Sequence, residues 1–157
     1  MEIPEGSGLE KYLKDFESKG NIKDFIKPVF EEIMLFLKKK LLITFHDIIL
    51  TKCYRSKDFD RICLEEGITG EYPLAIIIHS RSFSIPDRIA VDLQRMGTYA
   101  KSFVFNFILV VMEELIHSAC PLKTELEVGA IMFPLAEEFM GIKLSDDFKK
   151  MSENMRT

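Results

Sequence analysis

The chain has 157 residues, 47% of them hydrophobic and 29% charged, which excludes wholesale disorder and supplies apolar material for one domain-sized core. Twenty-one Lys and Arg against 25 Asp and Glu give a formal charge of −4, which argues against a protein that grips nucleic acid by bulk charge. Three cysteines (Cys53, Cys63 and Cys120) with no CxxC pair exclude a disulfide scaffold and a thiolate zinc cluster, and they read as small apolar fillers in a reducing, cytoplasmic setting.

Residues 1–8 (MEIPEGSG) are polar and glycine-containing. They read as a flexible arm rather than a leader, ahead of a single domain over 9–157. Leu9, Leu13 and Phe16 predict a short helix to Ser18, ended by Gly20-Asn21. A longer helical stretch runs from Asn21 to Lys40 on Ile22, Phe25, Ile26, Val29, Phe30, Ile33 and Leu37, with Pro28 expected to kink or split it. The lysines at 38–40 suit the negative end of a helix dipole. Leu41 to Tyr54 is branched and aromatic and reads as a strand, with a helix as the alternative; Arg55 to Asp60 reads as a charged connection.

Leu74–His79 and Ile89–Leu93 are the clearest strands. The first is continuously apolar, as for a strand covered on both faces, and the short link between them predicts an antiparallel hairpin. Thr98 to Ala119 is a very apolar helix, with Thr98 or Ser102 as its expected cap and Pro121 beyond its end. Its most apolar run, Phe103 to Met112, is about ten residues and is interrupted by Asn106, short of the about 20 that a membrane span needs. Thr124-x-x-Glu127 predicts a capping box opening a helix that continues past Pro134 to a C-cap at Gly141. Ser145 caps a last helix from Asp146 to about Met155. Helices, a small mostly antiparallel sheet, then helices make an α+β class rather than βαβ repetition.

The segment Val110-Val-Met-Glu-Glu-Leu-Ile-His-Ser-Ala sets Glu113, Glu114 and His117 inside the most hydrophobic helix. Glu113 and His117 are four apart, and Glu114 and His117 three apart, so these side chains are neighbours on one face. Ionisable groups in such a helix are costly to bury unless paired, hydrogen-bonded or bound to metal.

Apart from its first position, EELIH resembles the HExxH motif of the zincin metallopeptidases, in an apolar helix preceded by a strand-rich segment and with a small residue after the histidine. Nineteen residues separate His117 from Glu137, which is similar to the spacing of the distal glutamate ligand in the gluzincin branch. The resemblance covers roughly residues 75–141. It implies a zincin-like fold and water-mediated amide hydrolysis, with His117 and Glu137 as metal ligands and Glu114 as general base. Glu113 stands where the family has its first histidine. A carboxylate can ligate Zn²⁺, so a one-His, two-Glu site is chemically sound, but the added negative charge lets Mn²⁺ or Mg²⁺ compete and weakens the activation of bound water.

Several readings stay open on the residues alone: an active metal-dependent peptidase, a fold that has lost its metal and binds a peptide or protein partner, and an ordinary polar stripe on a buried helix or a helix-rich structural protein. Motif side chains salt-bridged to Arg88 or Arg95 would favour loss of the metal. Glu127 is most simply the capping-box partner, although it or Glu125 could approach a metal. His79 and His46 read as core-edge histidines. A di-iron bundle lacks its second Glu-x-x-His. Asp87 and Asp92 stand too close in sequence for a PD-(D/E)xK nuclease, and Gln94 replaces its lysine.

Overall fold

The computed structural model describes residues 2–42, 47–68, 70, 73–80 and 85–156; His46 lies outside them. In chain order the elements are α1 (Gly8–Lys19), α2 (Ile22–Leu41), β1 (Ile49–Cys53), α3 (Ser56–Glu65), β2 (Ala75–Ile78), β3 (Arg88–Asp92), α4 (Ala100–Ala119), α5 (Glu125–Met140) and α6 (Asp146–Arg156). This is an α+β architecture, as the sequence predicts.

The sheet is mixed. Its order is β1-β3-β2: the expected hairpin pairs β2 with β3 antiparallel, whereas β1 runs parallel to β3. Both faces are covered. Ala75, Ile89 and Val91 join the main core with α4, whereas Ile76 and Ala90 join Cys53, Phe59 and Cys63 beneath α3. A strand buried on both sides has no polar alternation, which explains the continuous run Leu74–Ile78.

α3 occupies the segment expected to be a charged connection. Lys57, Arg61 and Glu65 face solvent while Phe59 and Cys63, four apart, are fully buried against the sheet. No side chain of its own caps it; Gln94 Oε1, from the turn after β3, accepts the Ser56 N–H at 2.8 Å.

Neither proline breaks its helix. Pro28 and Pro134 sit inside α2 and α5 on the solvent side, where the carbonyl each leaves unbonded is open to water. The N-terminal segment is laid against the domain: Ile3 packs on the core, Ser7 Oγ caps α1, and Gly8 abuts the Phe139 carbonyl so closely that a Cβ there would collide.

α4 is the central element, packed by α1, α2 and α5 and by strands β2 and β3. By length and composition alone it could cross a membrane, yet half of it is buried inside the fold. Its N-cap is Tyr99, without a side-chain cap bond, instead of Thr98 or Ser102. Asn106, the polar break in its apolar run, donates to the Met96 carbonyl and so ties the helix to the turn after β3.

Candidate metal centre

The last two turns of α4 and the first turn of α5 meet across a short link, Cys120–Thr124. The Thr124–Glu127 capping box fixes where α5 starts: Thr124 Oγ1 accepts the Glu127 N–H, and Glu127 Oε1 accepts the Thr124 N–H. Glu127 is thereby spent on the cap. Glu125 projects back towards α4.

One ligand-type atom from each of Glu113, His117 and Glu125 lies within 4.8 Å of the others. Glu113 and His117 are both half-buried, and Glu125 is exposed. His117 Nε2 is 3.2 Å from Glu125 Oε1 and 3.9 Å from Glu113 Oε1, close enough to count as ion pairs, yet neither contact has hydrogen-bond geometry. Nε2 is buried without a hydrogen-bond partner among the described residues. Ligands around one cation at bond lengths of 2.0–2.2 Å stand about 3–4 Å apart, so small side-chain rotations would bring this trio to coordination distance.

Glu137 is elsewhere. Twelve residues of α5 separate it from Glu125, about 18 Å along the axis at 1.5 Å per residue. Its carboxylate accepts the Leu144 N–H at 2.9 Å and lies 3.4 Å from Lys149 Nζ. Burial pushes that carboxyl up, but these partners together hold it below its ordinary value. Its neighbour Glu138 pairs with Lys40 at 2.7 Å. The ligand assignment implied by the resemblance is therefore corrected at this position: the acid that joins Glu113 and His117 is Glu125.

The trio opens into a cleft of about 900 Å³. Glu114 lines it beside Glu113 and His117, and its apolar wall includes Ala75, Ile76 and Ile77 of β2 and Val110 of α4. β2 pairs only with β3 among the described residues, so the cleft runs beside an edge strand of the sheet. The arginines that would have signalled a collapsed site are engaged elsewhere. Arg88 Nε donates to Thr51 Oγ1, and Arg95 makes a bidentate pair with Asp60.

The remaining candidates have structural partners. Asp87 accepts from the Ser80 N–H and from Ser118 Oγ, with His79 Nδ1 at 3.3 Å. Burial raises its carboxyl, yet these contacts together hold it below the usual range. Cys53 and Cys63 are buried, and that burial pushes both thiols up, which makes them poor nucleophiles. Cys120 is half-buried at the α4 C-cap.

Comparisons with protein families, with curated proteins and with solved structures give no match for this chain.

Proposed function

We propose that this chain is a metallopeptidase-like domain in which Glu113, His117 and Glu125 hold one divalent cation at the mouth of a peptide-sized cleft. The observation that carries this reading is the convergence of three ligand-type side chains within 4.8 Å around an imidazole nitrogen that has no hydrogen-bond partner among the described residues. Two carboxylates and a neutral imidazole suit Zn²⁺, Mn²⁺ or Mg²⁺, with the harder ions favoured by the oxygen-rich set.

A cation there would polarise a carbonyl oxygen and lower the pKa of bound water. Glu114, in the same cleft, is the general base of the reading. An extended peptide beside β2, whose second edge has no strand partner among the described residues, can take main-chain hydrogen bonds from that strand while its side chains meet Ile76, Ile77 and Val110. The zincin resemblance of EELIH supports the same roles for Glu114 and His117, whereas Glu125 replaces Glu137 as third ligand.

Elemental analysis of protein purified without chelator tests the metal, with His117→Ala as control. Near-stoichiometric metal that disappears in the variant is expected, and absence of metal from both would overturn the reading. Peptidase activity abolished by Glu114→Gln would assign hydrolysis. The second reading is a non-catalytic peptide-binding module, favoured by the carboxylate at position 113, whose charge weakens the pull of the metal on water. Peptide binding with no turnover in metal-loaded protein would select it.

A further inference from the structure

Asp92, at the end of the central strand, is fully buried, and a carboxylate out of water is costly unless its surroundings hold it. Ser56 Oγ and the Arg95 N–H donate to its Oδ1, and Arg95 Nη1 stands 3.3 Å from its Oδ2 in ion-pair geometry. Asp60 of α3 grips the same guanidinium end-on, Nη1 to Oδ1 at 2.6 Å and Nη2 to Oδ2 at 2.8 Å. Two acids from two elements thus pin one arginine.

Arg95 also lines the cleft that holds Glu113, Glu114 and His117. End-on pairing with Asp60, with Asp92 beside Nη1, leaves the other fork of the guanidinium, Nε–H and the outer Nη2–H, without a partner among the described residues. Asp60 and Asp92 outweigh the charge of Arg95, so what remains on offer is a rigid pair of N–H donors rather than a net positive site.

The geometry points to Arg95 as a substrate-binding residue whose free Nε–H/Nη2–H fork takes a main-chain carbonyl oxygen of an extended peptide lying along β2. This assignment rests on the cleft reading above but not on the metal. A neutral carbonyl suits the fork because its two lone pairs accept both donors, and because Asp60 and Asp92 repel a carboxylate. Pinning before binding means that little side-chain entropy is lost when the peptide arrives.

The test is binding of a short fluorescent peptide of alternating valine and serine, amidated at its C-terminus, with Mn²⁺ titrated separately on the same proteins. Arg95→Lys keeps the charge but loses the fork; Arg95→Gln loses both; Asp60→Asn keeps Arg95 but frees it. Peptide affinity should fall about tenfold in both Arg95 variants and by less in Asp60→Asn, with Mn²⁺ affinity and thermal midpoint retained in Arg95→Lys. Wild-type affinity in Arg95→Lys and Arg95→Gln, or no peptide binding by the wild type, would overturn the assignment. So would a free-acid peptide that binds tenfold more tightly than the amide. Failure of the wild type to take up Mn²⁺ while binding of the peptide still depends on Arg95 would defeat the metal reading and leave this one standing.

Discussion

His117 Nε2 faces Glu125 Oε1 at 3.2 Å across the turn that joins α4 to α5. The contact brings together two helices whose relative direction is set by a five-residue link and a capping box, and it makes Glu125 the acid on which metal binding turns.

Titration with Mn²⁺ or Zn²⁺ should separate the three glutamates. Glu125→Gln and Glu113→Gln are each expected to weaken binding by about tenfold or more, about 1.4 kcal/mol, in calorimetry. Glu137→Gln should bind as the wild type does. Saturating metal should raise wild-type stability by about 2.7 kcal/mol at a hundred times Kd. Equal loss in Glu137→Gln would show that the trio is wrongly composed.

Glu137 is instead a stability residue. Removing its carboxylate orphans the Leu144 N–H and releases Lys149, at an expected cost of about 1–3 kcal/mol in urea unfolding of Glu137→Ala.

Acid should destabilise the fold through Glu137 and Asp87, whose carboxyls lie below their ordinary values of 4.5 and 3.8 in the folded protein. A carboxyl depressed on folding is protonated more readily in the unfolded chain. Its contribution is complete above the ordinary value and is lost as pH falls through the lower, folded one. Unfolding free energy should therefore decline below about pH 4.5, and less steeply in the double variant Glu137→Gln/Asp87→Asn. Identical acid limbs for the two proteins would contradict this.

Gly8→Ala sets helix propensity against packing. Alanine is better than glycine in a helix by about 1 kcal/mol. Here the added Cβ would strike the Phe139 carbonyl, a backbone atom that cannot swing aside. A net loss of about 1–3 kcal/mol is expected in thermal or urea unfolding; a gain would mean that α1 and α5 are not in contact.

Asp92→Ala should cost about 1–3 kcal/mol, because it leaves the Ser56 hydroxyl and the Arg95 N–H without their acceptor while the Arg95 guanidinium keeps Asp60. A loss below 1 kcal/mol would show that Asp92 does not anchor Arg95.

Much of the fold was legible because local signals coincided with packing. Asn21 and Gly20, the Thr124–Glu127 box, Gly141 and Ser145 mark helix ends by chemistry contained within four residues, and each does so in the structure. Misreadings arose where a distant group decided. The α3 segment looked like a linker because its buried seam is only Phe59 and Cys63 and its capping acceptor is Gln94, far along the chain. The parallel partner of β1 had no local signature, since pairing depends on where α3 and the hairpin return the chain.

The sequence by itself determined that an imidazole and a carboxylate share a face of α4, because four residues make about one helical turn whatever surrounds them. Only the tertiary structure decided which third acid meets them. A count of nineteen residues becomes a distance only once helix direction is known, and α5, starting at Glu125, carries Glu137 about 18 Å away along its axis while leaving Glu125 beside His117.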